Sequence, residues 1–394
     1  MQHRLLLVGG PDVDSRIDLI HYLREFCEVV VAGSQPRLVD RFLKVGIPYL
    51  PYRLNRQTNI VADLVTLRQL IRIVRQVRPE IVHAFDTKPA VFARIAAWIG
   101  GVPAIVGTLP GLGTLYTSSD LKTRLIRLVY EGLQKTACRC SSLTIFQNND
   151  DLALFVSRGI VTEEKSAVVP GSGVSTDVFD PERFPMEQRV EIRKQLGIST
   201  TSLVVTMISR LTRSKGVLQF GAAAQSLRSS GISFLLVGDP DTETNDGLDD
   251  SSVRRLKQYV HCTGRREDVP AVLAASDICV LPSYREGIPR VLLEAASMGL
   301  PIVTTNSTGC REVVIDRENG FLVPVRDAQR LAEAILLLAG DADLRRRFGA
   351  RSRELAIDRF DLCKISHQIL RIYRTLLTPS RPFSAPGVLT SHGG

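Results

Sequence analysis

Several features that mark common classes of protein are missing from this sequence. Its seven cysteines are scattered and show no C-x-x-C spacing, so neither a disulfide framework nor a zinc site is expected, and a reducing cytoplasm fits best. The longest uncharged apolar stretch, 95–109, is too short to span a bilayer and contains glycine and proline. No secretory leader is expected, because Met1 is followed almost at once by the strand-like run 5–8.

Three sequence motifs of nucleotide and hydrolytic enzymes are also absent. There is no G-x-G-x-x-G for a dinucleotide, no G-x-x-x-x-G-K for a P-loop and no G-x-S-x-G elbow for a hydrolase. The start LLLVGG still leaves a dinucleotide-dependent oxidoreductase as one alternative from another class. A non-catalytic nucleotide-binding protein is the second.

Positive charge is concentrated in the first third of the chain. The formal net charge is +9, and residues 1–140 hold 19 Lys and Arg against 11 Asp and Glu. The basic residues have no interleaved aromatics and Trp98 is the single tryptophan, so nucleic acid is not the expected partner. An anionic membrane surface or a phosphorylated lipid is expected instead, and a solvated basic surface without a partner is the alternative.

The length and the alternation of patterns predict two α/β domains. A chain of 394 residues exceeds the ~250–300 that one core supports. Short apolar runs alternate with helical periodicity, and the same rhythm restarts after residue 200, which predicts parallel sheets with helices on both faces. The predicted strands are 5–8, 29–31, 81–83, 104–106, 143–145, 203–208, 233–237, 278–281 and 301–304, with a helix over 64–77 that ends before Pro79.

We therefore expect two doubly wound, Rossmann-like domains that face each other across a cleft. The predicted bounds are 1–175 for the N-terminal domain, 176–195 for a linker and 196–357 for the C-terminal domain. A C-terminal helix, 358–378, is expected to return to the first domain, and 379–394 is expected to be disordered, because it lacks a core-forming pattern.

The string EGIPRVLLE, residues 286–294, is the most informative motif. Pro289 suits the first turn of a helix, which places Glu286 on the preceding loop and Glu294 on the second turn. Backbone N–H groups at this helix start and the positive end of its dipole favour phosphate. The motif can therefore hold a sugar at one end and a ribose at the other.

Two cations follow the first strand of the second half. Arg210 offers a planar fork and Lys215 a mobile point charge, both in the string SRLTRSKG at the carboxyl end of a strand. Ligands of open α/β sheets bind at that edge. The pair is suited to hold a diphosphate and to stabilise it as it leaves.

Together these strings resemble the retaining glycosyltransferases of family 4, which have the GT-B fold. The resemblance covers roughly 1–375 and includes GSGVSTDVF (171–179), FLLVGD (234–239), GRREDVPAVLAASD (264–277) and REGIPRVLLEAASMGLPIVTT (285–305). HAFDTKP (83–89) and GTLPGLGTLY (107–116) resemble the branch that adds N-acetylhexosamine-type sugars to polyprenyl-diphosphate-linked sugars in bacterial surface glycan assembly.

The resemblance implies a role for each site residue, with the acceptor on the N-terminal domain and the nucleotide sugar on the C-terminal one. The implied catalytic residues are Glu286, His83, Arg210 and Lys215. Besides Arg210, Lys215 and Glu286, the implied donor-binding residues are Gly9 and Gly10 at the phosphates, Gly264 to Val269 at the base, Gly287, Ile288 and Pro289 at the sugar and Glu294 at the ribose. The implied acceptor-binding residues are Lys88, Gly111, Gly113, Lys122 and Arg124. The chain departs from the family at Ser15-Arg16, where a histidine is common.

The expected activity is transfer of a hexose, N-acetylhexosamine or a related sugar, from a UDP-sugar to a polyprenyl-diphosphate-linked saccharide, with retention. No cofactor and no metal are expected, and Asp12-Val13-Asp14 and Asp239-Pro240-Asp241 are interpreted as acidic loop residues although they spell D-x-D. The alternative within the family is a soluble or another lipid acceptor.

A basic, apolar helix is expected near the acceptor. Lys122, Arg124, Arg127 and Lys135 alternate with leucine, isoleucine and valine, a composition that suits a membrane interface. The protein is therefore expected in the cytoplasm, peripheral on the inner face of the cytoplasmic membrane. A core-packed helix with a solvated basic edge is the alternative.

Overall fold

The chain divides into two compact units. The computed structural model describes residues 2–55, 59–117, 120–241 and 246–378. The first unit takes in the described residues of 1–110, 119–169 and 366–394, and the second those of 111–118 and 170–365. The predicted disordered tail, 379–394, lies outside the described residues.

The first unit contains a parallel sheet with seven strands in the described ranges. These are β1 (His3–Val8), β2 (Cys27–Gly33), β3 (Tyr49–Pro51), β4 (Ile81–Phe85), β5 (Ala104–Leu109), β6 (Leu143–Phe146) and β7 (Ser166–Val168). Their order is β3-β2-β1-β4-β5-β6-β7. The helices are α1 (Ile17–Leu23), α2 (Val39–Lys44), α3 (Ile60–Val77), α4 (Lys88–Ile99), α5 (Leu121–Arg139) and α6 (Asn149–Ser157).

The second unit contains a parallel sheet with six strands in the described ranges. These are β8 (Leu203–Ile208), β9 (Ile232–Val237), β10 (His261–Gly264), β11 (Ile278–Leu281), β12 (Ile302–Thr305) and β13 (Gly320–Val323), ordered β10-β9-β8-β11-β12-β13. The helices are α7 (Met186–Gln195), α8 (Val217–Ser226), α9 (Asp250–Leu256), α10 (Val269–Ala274), α11 (Arg290–Ser297), α12 (Cys310–Val313), α13 (Ala328–Gly340) and α14 (Ala342–Leu355). The last helix, α15 (Leu362–Leu377), passes into the first unit at Ser366.

The predicted α/β fold class with two parallel sheets is confirmed. In each sheet the strand order reverses once, between β1 and β4 and between β8 and β11, as in doubly wound folds. The strands missed from the sequence are β3, β7, β10 and β13, which are the edges of the two sheets. Each is only three or four residues long and, unlike the equally short central strands, is not buried along its whole length, so none has the fully buried apolar run of a central strand.

Helix α3 illustrates how local sequence sets an element's ends. The Asn59 side chain accepts a hydrogen bond from the Ala62 N–H and caps the first turn. Leu70, Val74 and Val77 are buried along one face, as the periodicity predicts. The helix ends at Val77, and its C-cap residue Arg78, just before Pro79, has a left-handed φ of 50°.

The segment 176–195, predicted to be a linker, is part of the second unit. It contains α7, whose Ile192 is buried in a cluster with Leu196, Val204 and Leu235. The sequence of this helix, MEQRVEIRKQ, has too few apolar residues to show a helical periodicity. Its buried Ile192 packs against residues of the sheet that lie far away in the sequence.

A buried arginine joins three elements of the first unit. Arg94 on α4 is fully buried, and its Nη2 donates to Gln134 Oε1 on α5 at 2.5 Å. Its Nη1 lies 3.3 Å from the Thr144 hydroxyl on β6, and its Nε donates to the Ala90 carbonyl at 2.8 Å. Because a buried guanidinium must be hydrogen-bonded to be tolerated, this network holds α5 in place.

Replacement of Gly107 on β5 is therefore expected to disrupt the arginine. A Cβ added there would lie 2.5 Å from the Arg94 Cδ, so Gly107→Ala should lower the free energy of unfolding by about 1–3 kcal/mol through overpacking. Gly132→Ala in α5 is the control, because a Cβ there meets nothing within 4 Å and alanine should raise stability by about 0.5–1 kcal/mol. Urea denaturation measures both, and equal effects would contradict the packing argument.

Candidate functional site

An ion pair marks the reversal point of the second sheet. Lys215 follows β8 and Glu286 follows β11, the two strands between which the order reverses. Lys215 Nζ lies 2.5 Å from Glu286 Oε1, and both side chains are largely buried. The Ser283 hydroxyl donates to the same carboxylate oxygen at 2.6 Å. The structure thus brings together two residues that are 71 positions apart and that the sequence motifs predict to share a site.

Backbone hydrogen bonds hold the two loops of this pair against each other. The Tyr284 N–H donates to the Ser214 carbonyl at 2.8 Å, and the Ser283 hydroxyl reaches the same carbonyl at 3.2 Å. The Glu286 N–H donates to the Thr308 carbonyl at 3.0 Å, which adds the loop after β12. The ammonium and the carboxylate are therefore preorganised by main-chain contacts on both sides.

Arg210, the second predicted cation, has its own carboxylate partner. Its Nη1 lies 2.5 Å from Asp241 Oδ2, and the Arg210 side chain is 60% exposed whereas that of Asp241 is 4% exposed. Asp239 of the same D-x-D string accepts a hydrogen bond from the Arg265 N–H at 2.9 Å. These two aspartates fix an arginine and a loop, while Asp14 of the other D-x-D string pairs with Arg41 at 2.6 Å.

Glu294 lies on the second turn of α11, as predicted, but it is buried. Arg290, one turn earlier, donates from Nε to Glu294 Oε1 at 2.8 Å. Burial raises the pKa of Glu294, and the nearby Arg290 guanidinium counteracts that rise. Pro289 is the residue before the first helical one, so the helix starts one position later than its first-turn placement would give.

The backbone around Gly287 is crowded by a segment predicted to bind the acceptor. Gly111 has a φ of 124°, and a Cβ added there would lie 2.6 Å from the Gly287 nitrogen. Gly287, Ile288 and Pro289 are buried, so the backbone segment predicted to hold the sugar has little exposed surface. The predicted base loop runs from Gly264, the end of β10, to Val269, the start of α10, and Asp239 holds its beginning.

His83 of the first unit occupies the core. It is fully buried, its Nδ1 lies 2.6 Å from the Tyr373 hydroxyl, and its Nε2 lies 2.7 Å from the Thr108 hydroxyl. Burial, with a smaller contribution from the Arg16 guanidinium, holds the pKa of His83 well below its ordinary value. With both nitrogens engaged, the imidazole is a structural group here, which differs from the prediction that it contacts a substrate.

The remaining predicted residues, most of them in the first unit, have local partners or lie on the surface. Gly9 and Gly10 follow β1, and the Gly10 N–H donates to Asp86 Oδ2 at 2.6 Å. Lys88 Nζ lies 2.8 Å from Asp63 Oδ1. Lys122 and Arg124 are exposed on the first turn of α5. Gly113, which belongs to the second unit, has a φ of 57° in a short 3₁₀ turn.

Two family models match the chain, and together they cover most of both units. "Glycosyl transferase 4-like domain" matches residues 18–171, and "Glycosyl transferases group 1" matches residues 202–341. Both models describe glycosyltransferases, and the chain is a glycosyltransferase. Lys215, Glu286 and Glu294 of this glycosyltransferase all lie within the second matched range.

Curated relatives share this assignment over most of their length. A UDP-Gal:alpha-D-GlcNAc-diphosphoundecaprenol alpha-1,3-galactosyltransferase of Escherichia coli is 29% identical, with 81% of each chain covered. An N,N'-diacetylbacillosaminyl-diphospho-undecaprenol alpha-1,3-N-acetylgalactosaminyltransferase of Campylobacter jejuni is 28% identical over 88% of this chain and 90% of that one. Among solved structures, Anabaena HepE in complex with UDP and glucose superposes with a TM-score of 0.79 at 23% identity, covering 95% of this chain and all of the other.

Sequence reasoning missed the partners that complete each cluster of the glycosyltransferase. Ser283 and Asp241 were not assigned roles at the cations, and Tyr373, 290 positions from His83, carries no local signal at all. A carboxylate two residues beyond Asp239 could have suggested a partner for Arg210. No spacing rule could have found the tyrosine, because the pairing exists only in three dimensions.

The buried imidazole gives a pH prediction. In the unfolded chain His83 has an ordinary pKa of about 6.5, whereas burial lowers the pKa of His83 in the folded chain. The unfolded state therefore binds a proton first, and the free energy of unfolding decreases as the pH falls below about 6.5. The free energy of unfolding should therefore decrease by up to about 1.4 kcal/mol per pH unit from this residue. Urea denaturation of the wild type and His83→Gln should show a difference that narrows towards about pH 5. A difference that stays constant would contradict the buried, neutral state.

Proposed function

We propose that this glycosyltransferase transfers a hexose, an N-acetylhexosamine or a related sugar, from a UDP-sugar to a saccharide linked to polyprenyl diphosphate, with retention of the anomeric configuration. The observation that carries the proposal is the Lys215–Glu286 pair at the carboxyl edge of β8 and β11, in a chain whose relatives act on diphosphoundecaprenol-linked sugars. The UDP donor is supported by the name of the Escherichia coli relative. Assembly of a bacterial surface polysaccharide is the corresponding role.

The proposed reaction exchanges one bond at the anomeric carbon. The bond from that carbon to the diphosphate oxygen breaks, the bond to the acceptor oxygen forms on the same face, and the hydroxyl proton leaves with the diphosphate. Lys215 and Arg210 would stabilise the charge that develops on the departing diphosphate. Glu286 would hold the sugar hydroxyls, which places the two substrates for attack.

The direct test is transfer by the purified protein. UDP-galactose, UDP-N-acetylgalactosamine and UDP-N-acetylglucosamine are each incubated with a short-chain polyprenyl-diphosphate-N-acetylglucosamine, and the product is followed by mass spectrometry. We expect one donor to be consumed and the product to be cleaved by an α-glycosidase. Cleavage by a β-glycosidase alone would contradict retention, and transfer only to a soluble saccharide would favour the alternative acceptor.

The two glutamates are expected to affect different kinetic constants. Glu294→Ala should weaken UDP binding by about tenfold, because a charge-assisted hydrogen bond is lost. Glu286→Ala should leave UDP binding nearly unchanged and lower kcat by about 100-fold, because Lys215 loses the group that positions it. Calorimetry with UDP and initial rates measure the two effects.

The control for these variants is Glu333→Ala. Glu333 pairs with Arg330 on the exposed surface of α13 and should change neither constant. Thermal denaturation is measured in parallel, because Glu294 is buried and its loss can also reduce stability. Parent-like activity of Glu286→Ala or Glu294→Ala would remove the residue concerned from the site.

We further infer that the first unit binds an anionic membrane surface through α5. Leu121 and Leu128 are 72% and 65% exposed on this helix, with Lys122 and Arg124 beside them. Most of the large hydrophobic side chains that are exposed in the described ranges lie on α3, α4 and α5. No helix in those ranges is long and apolar enough to cross a membrane. Such a surface suits an interfacial helix beside anionic lipid.

Removal of apolar side chains from α5 should release the protein from vesicles. We expect Leu125→Gln combined with Leu128→Gln to reduce flotation with phosphatidylglycerol-containing vesicles by at least about tenfold, since each leucine would lose burial worth about 1–2 kcal/mol. The matched control is Leu336→Gln with Leu337→Gln, which replaces two exposed leucines of α13 in the second unit. Binding that does not depend on anionic lipid, or an equal loss in the control, would contradict this interface.

A further inference from the structure

An unassigned carboxylate lies at the reversal point of the first sheet. β1 and β4 are the neighbours between which the strand order of this sheet reverses. Gly10 lies two residues after β1, and Asp86 follows β4 directly. Open α/β sheets bind their ligands at the carboxyl ends of the strands at this point. The position of Asp86 therefore corresponds to that of the Lys215–Glu286 pair in the second unit.

Two contacts hold the Asp86 carboxylate in place, and the cation of one of them is itself fixed by an aromatic ring. Its Oδ2 accepts the Gly10 N–H at 2.6 Å, and its Oδ1 lies 3.6 Å from Arg16 Nη2. The Arg16 guanidinium stacks on the Phe85 ring at 3.9 Å. The Arg16 side chain is 8% exposed and that of Asp86 is 30% exposed, so the cation lies behind the carboxylate and the carboxylate reaches the surface.

The backbone supports the same placement. Asp86 has a φ of 71°, in the left-handed region that costs most residues about 1–2 kcal/mol. Such conformations persist where surrounding contacts enforce them, and they cluster at functional sites. The Gly10 N–H and the Arg16 guanidinium are the contacts that enforce it here.

The chemistry of the cluster selects hydroxyl groups. A carboxylate accepts hydrogen bonds through about four lone-pair sites, and the two contacts leave capacity for O–H donors. Its negative charge repels phosphate, so it disfavours the diphosphate of either substrate. The Gly10 N–H, expected to approach the donor phosphates, is already donated to this carboxylate. In the second unit, Glu286 is the group proposed to hold the hydroxyls of the donor sugar.

We propose that Asp86, backed by Arg16, binds a hydroxyl of the acceptor saccharide. This inference rests on the proposed function, because the ligand is the acceptor of that reaction. It also gives a role to Arg16: the guanidinium orients a carboxylate that makes the contact.

The test separates acceptor binding from donor binding and from folding. UDP-sugar hydrolysis without acceptor, UDP affinity by calorimetry, and transfer to a short-chain polyprenyl-diphosphate-N-acetylglucosamine are measured for Asp86→Asn and Asp86→Gly. Both residues tolerate a positive φ. Because each variant removes the charge that faces the buried Arg16, thermal denaturation is measured in parallel, and the kinetic constants are taken well below the unfolding transition. We expect the KM for the acceptor to rise about tenfold in Asp86→Asn and further in Asp86→Gly, with donor hydrolysis and UDP affinity unchanged.

Asp14→Asn is the matched control, since Asp14 pairs with Arg41 in the same unit and should leave the acceptor KM unchanged. An unchanged acceptor KM in both Asp86 variants, or a rise in donor KM alone, overturns the proposal. If the wild type transfers nothing to this acceptor, the proposed function fails instead. Saturation-transfer NMR with free N-acetylglucosamine then tests Asp86 on its own: contact that Asp86→Gly abolishes supports it, and equal or no contact in both proteins overturns it.

Discussion

The geometry of the candidate site depends on where the strands of each parallel sheet end. The Lys215–Glu286 ion pair, at the carboxyl ends of β8 and β11, shows this most clearly. Two opposite charges lie 2.5 Å apart in a largely buried setting, held there by loops that follow β8 and β11. Desolvation of such a pair is costly, and the Coulombic gain repays it only when geometry and further hydrogen bonds are good. Ser283 and the backbone of Ser214 and Tyr284 provide that geometry.

The same architecture in the first unit holds a different chemistry. Its reversal point carries Gly10 and Asp86, with Arg16 buried behind the carboxylate. His83, which lies on β4 itself, is enclosed by Tyr373 and Thr108. In the second unit, Lys215 and Glu286 are paired and both are largely buried. In the first unit, the Asp86 carboxylate reaches the surface while its partner Arg16 is buried. The proposed ligands differ accordingly: a nucleotide sugar at the second unit and a hydroxyl group of the acceptor at the first.

Much of the fold could be predicted, because it depends on short-range patterns. The central strands of both sheets show apolar runs, and α3 shows its apolar face and its end before Pro79, although its first turn and the Asn59 cap were not predicted. The edge strands and α7 could not be predicted in the same way, since they are short or polar and gain their stability from neighbours. The glutamate motif and the two cations were found because a helix start and a strand end have recognisable residues. Their pairing with Asp241 and Ser283 was not found, because long-range contacts leave no mark in local spacing.

The amino-acid sequence alone determined the α/β class, the family resemblance and the candidates Arg210, Lys215, Glu286 and Glu294, since each follows from periodicity or from a contiguous motif. Only the tertiary structure decided which candidates meet. It pairs Lys215 with Glu286, buries His83 in the core and buries Glu294 against Arg290. It also places Asp86, which the sequence analysis did not single out, beside Gly10 at the reversal point of the first sheet. The physical reason is that burial and ion pairing are set by the packing of elements far apart in the chain, whereas local propensity acts over a few residues.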